Sequence, residues 1–231
     1  MISEAIILAG GLGTRLRPAV SDLPKCMAPI NGKPFLDYLV QYLQRQGITH
    51  FIFSVGYLHE IIEAHLRENY PLLSYQLSIE NEPLGTGGGI RWACEKSNQK
   101  TVLVCNGDTL YKADVAALSA FHENTGAQCT LSLKPMNNFD RYGAVVLNED
   151  HSIRSFSEKQ FYATGLINGG VYALETAVFL KKNFPEKFSF EKDYLEKEAN
   201  KNNPVLFGMV QDEYFIDIGI PEDFEKAKSE L

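Results

Sequence analysis

An apolar run near the start, Ala5-Ile6-Ile7-Leu8, delivers the chain straight into Ala9-Gly10-Gly11-Leu12-Gly13-Thr14-Arg15-Leu16-Arg17-Pro18. The run reads as a buried strand, so the glycines fall at a strand's carboxyl end. Without a Cβ, glycine lets backbone N–H groups turn inward on an anion. Thr14, Arg15, Arg17 and, downstream in Asp22-Leu23-Pro24-Lys25, Lys25 add the hydroxyl and the charge that a polyphosphate needs. The segment reads as a triphosphate cradle. It is not the dinucleotide fingerprint, because Leu16 stands where the third glycine belongs. Nor is it a Walker loop, because no Gly-Lys-Ser/Thr follows. A plain glycine-rich turn is the other reading, but a solvated loop has no need of so many cations beside so many glycines.

The pattern downstream predicts an α/β fold of one domain: a Rossmann-like mixed, mostly parallel sheet flanked by helices. Strands are expected at Ala5 to Leu8, Phe51 to Val55, Tyr75 to Ile79 and Val102 to Cys105. Between them lie helical patterns from Pro34 to Gln46 and His59 to Glu68, then a helix capped by Thr86, and after Val102 to Cys105 one capped by Asp114. The second half carries short alternating runs at Cys129 to Leu133, Ala144 to Leu147, Ile153 to Phe156 and Gly170 to Leu174, read as antiparallel or mixed strands over a cavity. Helices are expected at Glu175 to Lys182 and Phe190 to Asn200, and a last one opens at Pro221. Val205 to Met209 and Tyr214 to Ile218 are expected to close the sheet. Residues 1–125 would form the nucleotide-binding half, and 126–231 the half that meets the second substrate.

Composition narrows the partners. The 231 residues carry 22 basic and 29 acidic side chains, net −7, which argues against general nucleic-acid affinity. No apolar run approaches a membrane span, and the apolar start is too short for an export signal. Cys26, Cys94, Cys105 and Cys129 show no paired spacing and read as reduced packing thiols, so a cytoplasmic location is expected. The histidines show no zinc spacing.

Other stretches carry chemistry. Asn106-Gly107-Asp108 follows the fourth strand and reaches the same rim as the glycine loop. Asp217 sits in the apolar stretch Phe215-Ile216-Asp217-Ile218-Gly219, where an unpaired carboxylate is costly. Two carboxylates converging on phosphates suit Mg²⁺. Taken alone, Asp108 is also explained as a turn residue and Asp217 as a salt-bridge residue. Glu80 opens Glu80-Asn81-Glu82-Pro83-Leu84-Gly85-Thr86-Gly87-Gly88-Gly89, whose glycines would let a flat base approach the backbone. Its carboxylate matches the adjacent N1–H and N2 donors of guanine; a loop of surface acids is the plainer reading. Glu158 could accept two sugar hydroxyls and Lys159 hold a monophosphate, unless they form an exposed ion pair. Tyr142-Gly143 and Asn168-Gly169-Gly170 look like turns whose glycines bring backbone near a ligand.

Together and in this order, the glycine loop with Thr14-Arg15 and Pro24-Lys25, Gly85-Thr86, Asn106-Gly107-Asp108, Glu158-Lys159, Asn168-Gly169-Gly170 and Asp217-Ile218-Gly219 resemble the sugar-phosphate nucleotidyltransferase family over essentially the whole chain. That family joins a sugar 1-phosphate to a nucleoside triphosphate and releases pyrophosphate. Stretches such as Asp140-Arg141-Tyr142-Gly143, Phe188-Ser189-Phe190-Glu191-Lys192 and Tyr214 to Asp223 are similar to its guanylyltransferases that act on a heptose 1-phosphate for cell-surface polysaccharides.

The resemblance implies roles. Gly10, Gly11, Gly13, Thr14 and Arg15 would hold the triphosphate, and Leu8, Ala9, Glu80, Gly85 and Thr86 would frame base and ribose. Asp108 and Asp217 would bind Mg²⁺, while Gly143, Glu158, Lys159 and Asn168 would hold the sugar phosphate. Lys25 would stand between the two phosphates. Arg15, Lys25, Asp108 and Asp217 would then be the catalytic set, with Arg15 mattering most for rate. Cys26 departs from the proline usual after the lysine, which would loosen that loop. No β-helix domain follows, so no acetyltransferase activity is expected. GTP is the expected nucleotide. The rivals are a uridylyl- or cytidylyltransferase acting on a hexose or N-acetylmuramic acid 1-phosphate, and a nucleotide-sugar-binding regulator. A homodimer is the assembly considered.

Overall fold

Apolar runs too continuous to alternate must be covered on both faces, and the chain meets that demand with helices above and below a central sheet. A computed structural model of the chain describes residues 1–11, 22–157, 160–201 and 203–231. The first half runs β1 (Glu4–Leu8), β2 (Pro29–Ile30), β3 (Lys33–Pro34), α1 (Phe35–Arg45), β4 (His50–Val55), α2 (His59–Asn69), β5 (Ser74–Ile79), α3 (Gly85–Cys94), β6 (Thr101–Asn106), β7 (Thr109–Tyr111) and α4 (Val115–Thr125). The second half runs β8 (Cys129–Phe139), β9 (Ala144–Leu147), β10 (Ile153–Ser157), β11 (Tyr162–Glu175), α5 (Thr176–Leu180), a π-helical stretch over Phe190–Glu196, α6 (Lys197–Ala199), β12 (Leu206–Val210), β13 (Phe215–Asp217) and α7 (Pro221–Glu230).

The main sheet has the order β10-β9-β11-β6-β1-β4-β5, with β8 paired to both β11 and β12. Its centre, β6-β1-β4-β5, is parallel, and β11 joins β6 antiparallel. Alternate residues of β1 face opposite layers. Ala5 and Ile7 pack with α1, α2, α4 and α7, while Ile6 packs with α3, α5 and the π-helical stretch. Ile6 and Ile7 are fully buried, worth about 1.5–3 kcal/mol each.

Local signals set several boundaries. On α1, Phe35, Leu36, Leu39, Val40 and Leu43 are buried on one face, and Gly47 follows its end with φ +90°. The Asp114 carboxylate accepts the N–H of Ala117 at 2.9 Å, capping α4 as expected. Pro221 is the first residue of α7, with Glu222 and Asp223 in its first turn.

Four expectations need correction. Thr86 does not cap α3; the helix begins at Gly85, and the Thr86 hydroxyl serves another segment. β11 starts at Tyr162 rather than Gly170, because its first half pairs with β8 and β9 before a register shift at Asn168/Tyr172. The expected helix from Phe190 is π-helical before it turns α. Finally, β13 does not close the main sheet: it pairs antiparallel with β7 in a sheet of their own. All four cysteines are free and buried, and burial pushes the Cys26, Cys94 and Cys105 thiols up to about 12. Among the described residues no helix is long and apolar enough to cross a membrane.

Candidate active site

Parallel strands end at one rim. The chain passes from β1 to β4 and β5 on one side and returns to β6 on the other, so a crevice opens between the carboxyl ends of β1 and β6. Leu8 ends β1 opposite both Ser54 of β4 and Asn106 of β6. A cleft of about 500 Å³ lies there. It gathers Leu8, Gly10, Gly11, Lys25, Glu80, Gly85, Thr86, Asp108, Gly143, Asn168 and Asp217, all singled out from sequence. Ala9 is buried beneath this rim, its N–H donated to Ser54 O at 2.7 Å. Gly13, Thr14, Arg15, Glu158 and Lys159 lie outside the described residues.

Asp108 and Asp217 meet through the small β7/β13 sheet. Asp217 pairs in register with Thr109, the neighbour of Asp108, and the Ile218 N–H donates to Asp108 O at 3.0 Å. Lys25 lies between the two carboxylates. Its ammonium contacts Asp108 Oδ2 directly and stands 3.8 Å from Asp217 Oδ1. Lys25 is held by a 3₁₀ turn over Lys25–Met27, closed by Met27 N–H to Pro24 O at 2.8 Å and Ala28 N–H to Lys25 O at 3.1 Å. Cys26, the departure from proline, is buried inside that turn.

Burial and the neighbouring Asp108 charge push the Asp217 carboxyl up to about 6, against the opposing pull of Lys25. One ammonium therefore does not satisfy both acids, and the pair is short of positive charge. Gly219 completes the corner. Its N–H donates to Asp217 Oδ1 at 2.7 Å, and a Cβ there would stand 2.8 Å from that oxygen and 3.1 Å from Lys25 Nζ.

Glu80 is held differently. It continues from β5 with its N–H on Val55 O, and its carboxylate accepts Ser54 Oγ–H at 2.9 Å on Oε1 and Leu84 N–H at 3.0 Å on Oε2. Each oxygen retains a further acceptor site. The glycine run beyond it has a purpose the sequence did not disclose. A Cβ on Gly85 (φ +76°) would stand 2.6 Å from Phe188 O, and one on Gly87 2.2 Å from the Phe188 ring. Gly85, Gly87 and Gly88 admit the chain's own 186–188 segment, whereas a Cβ on Gly89 would stand 2.7 Å from Glu80 Oε1.

Beside this site stand the comparisons. The nucleotidyl transferase family model matches residues 4–231. The chain belongs to the nucleotidyl transferase family. It is 50% identical to D-glycero-alpha-D-manno-heptose 1-phosphate guanylyltransferase of Aneurinibacillus thermoaerophilus, over 99% of this chain and 98% of that one. It is 44% identical to the same-named protein of Campylobacter jejuni, over 96% of each. The crystal structure of HddC from Yersinia pseudotuberculosis complexed with GMP-PN superposes with TM-score 0.86 at 37% identity, covering 99% of both chains.

The nucleotidyl transferase cleft also holds residues the sequence reading did not place there. Ser54 was hidden in an apolar strand, its signal being that it is the single hydroxyl in Phe51 to Val55. Glu191 enters from the π-helical stretch, where its Oε2 accepts hydroxyls of Thr86 at 2.6 Å and Ser189 at 2.9 Å. Tyr172 reaches in from β11 and its hydroxyl accepts Asn168 Nδ2–H at 2.8 Å. Asn168 Oδ1 in turn accepts the Gly170 N–H at 3.1 Å, and the Asn168 N–H donates to Gly143 O at 2.9 Å. Arg141 and Tyr142 precede Gly143 and line the same side. The motif containing them was visible in the sequence, but only Gly143 was assigned a role.

Proposed function

We propose that this nucleotidyl transferase transfers GMP from GTP to D-glycero-α-D-manno-heptose 1-phosphate, giving GDP-heptose and pyrophosphate for cell-surface polysaccharide synthesis. The observation that carries the reading is Lys25, bracketed by Asp108 and Asp217 at the rim that also presents Gly10 and Gly11. Such a site brings two anionic groups together. The relatives' names supply the nucleotide and the sugar.

The chemistry needs no nucleophilic side chain and no general base. A phosphate monoester has its second pKa near ~6, so the sugar phosphate oxygen is already ionised at neutral pH. That oxygen forms a bond to the α-phosphorus of GTP, and the bond from the α-phosphorus to the α,β-bridging oxygen breaks. The electron pair leaves with pyrophosphate. The obstacle is repulsion between anions, which positioning and charge overcome. Lys25 faces both phosphates in this arrangement. Arg15 and Lys159 are assigned to the triphosphate and the sugar phosphate. Glu80 accepts the N1–H and N2 donors of guanine with its remaining acceptor sites, and Glu158 takes sugar hydroxyls.

Family members generally use a divalent metal, and Asp108 with Asp217 are the residues that would hold it here. Their crowding, incompletely met by Lys25, fits a hard dication that takes a few carboxylates and completes its shell with phosphate oxygens. We assign it as Mg²⁺, which when bound would neutralise charge on the α-phosphate. A cytoplasmic site of action accompanies this reading.

Pyrophosphate release across four NTPs and a panel of sugar 1-phosphates tests it. GTP with the heptose is the expected best pair. Preference for UTP or CTP overturns the guanine assignment, and preference for a hexose 1-phosphate overturns the sugar.

A further inference from the structure

Four carboxylates, Glu80, Asp108, Glu191 and Asp217, face the cleft, and among its described residues only Lys25 and Arg141 are cationic. Lys25 is already engaged by two of those carboxylates. Arg141 is paired with one carboxylate, Asp223, and its guanidinium has more donors than that pairing uses.

Arg141 is built to present its charge. It stands in the turn between β8 and β9, two residues before Gly143, and lines both the main cleft and an adjoining cavity of about 210 Å³. Its Nη2 donates to Asp223 Oδ2 at 2.5 Å, in the first turn of α7. Its guanidinium carbon lies 5.5 Å from the centre of the Tyr142 ring. Guanidinium has five N–H donors in a planar fork, and the hydrogen bonds found for it engage Nη2, to Asp223 and at 3.5 Å to the Tyr142 hydroxyl. The side chain remains 35% exposed. Nη2 is thus anchored, while Nη1 and Nε make no hydrogen bond to a described residue, which leaves donors in the fork geometry that takes a phosphate bidentately.

We propose that Arg141 binds the phosphate of the sugar 1-phosphate, with Asp223 as the carboxylate that holds the guanidinium in place. This rests on the proposed function. The sugar phosphate is favoured over the triphosphate because Arg141 shares its side of the cleft with Gly143 and Asn168, whereas Gly10 and Gly11 follow β1. Anchoring by Asp223 also limits how much side-chain freedom is lost on binding.

Steady-state kinetics with GTP and the heptose 1-phosphate, with calorimetric titration of the sugar 1-phosphate, test this on the wild type, Arg141→Gln, Arg141→Lys and Asp223→Asn. Arg141→Gln should raise the sugar-phosphate KM and Kd by about 10-fold or more, the size of one charged hydrogen bond, and leave the GTP KM within about 2-fold. Lysine should restore part of the loss, since it returns the charge without the fork. Asp223→Asn should raise the same KM by a smaller factor. A structural tie between the β8/β9 turn and α7 predicts something else: Arg141→Gln and Asp223→Asn would lower Tm alike and leave the sugar-phosphate KM and Kd unchanged. That result overturns the proposal. So does a rise confined to the KM for GTP, or for pyrophosphate in the reverse direction. If the wild type neither binds nor turns over any sugar 1-phosphate, the functional reading itself fails and this one falls with it. A wild type that works, matched by an equally good Arg141→Gln, removes Arg141 alone.

Discussion

Glu80 and the Asp108–Asp217 pair are carboxylates of one cleft, yet their surroundings prepare them for opposite partners. Glu80 accepts a hydroxyl and a backbone N–H, both neutral donors. Asp108 and Asp217 press on each other across one ammonium, and burial with mutual repulsion pushes Asp217 up to about 6. A carboxylate held by neutral donors has acceptor sites to offer to further neutral donors, such as those on a base edge. Two carboxylates crowded together call for a cation. Residue type alone does not assign the role; the charge of the neighbours does.

The strongest way to break this contrast is to remove one charge from the pair. Asp108→Asn and Asp217→Asn should each lower turnover at saturating GTP and Mg²⁺ by roughly 10²–10³-fold, as losing a group that stabilises transition-state charge does. Near-wild-type rates in either variant would mean that the pair serves folding only. Glu80→Gln sharpens the other side. The amide keeps one acceptor oxygen where the carboxylate has two, so it cannot accept from both Ser54 and Leu84 as Glu80 does and has less to offer a base. The kcat/KM for GTP should fall about 10- to 100-fold, from ~1.5–3 kcal/mol per charged hydrogen bond. Turnover once GTP is saturating should change far less. A loss equal for all four NTPs would contradict a role in reading the base.

The smallest effect concerns a titratable group at a distance from the cleft. His122 is buried, with Nδ1 2.8 Å from Thr130 Oγ1 and Nε2 3.9 Å from Glu175. Burial lowers its pKa, Lys100 adds to that, and Glu175 and Glu123 pull the other way. The folded state resists the proton more than the unfolded chain does. The stability from a neutral His122 is therefore complete above about pH 6.5 and is lost as pH falls below it. His122→Asn should narrow the drop in Tm between pH 7.5 and pH 5.5. An unchanged drop would place the acid sensitivity in the carboxylates, the Asp108–Asp217 region included.

Much of this was legible in the sequence where its cause is local. The continuous apolar run of β1, the one-sided pattern of α1, the Asp114 cap and Pro221 at the head of α7 all follow from neighbours within a few residues. So did the rim, since parallel strands end together and place Leu8 beside Asn106. Thr86 shows where that logic stops. By local rules it caps a helix, but its hydroxyl is taken by Glu191 and by the Phe190 N–H, residues more than a hundred positions away. Of the glycines after it, Gly87 makes room for the Phe188 ring and Gly88 for Glu186 O, contacts comparably distant in sequence.

The sequence by itself determined the strand–helix alternation, the side of the sheet on which chemistry gathers and the kinds of group gathered there, because periodicity, capping and turn chemistry act over a few residues. Only the tertiary structure decided how the two acids meet. Asp217 reaches Asp108 through the pairing of β13 with the three-residue β7, whereas the sequence pattern placed the Tyr214 to Ile218 strand in the main sheet. Arg141 gained its place through an ion pair with a helix far along the chain. Such contacts form when the core brings distant segments together, and no local pattern records them.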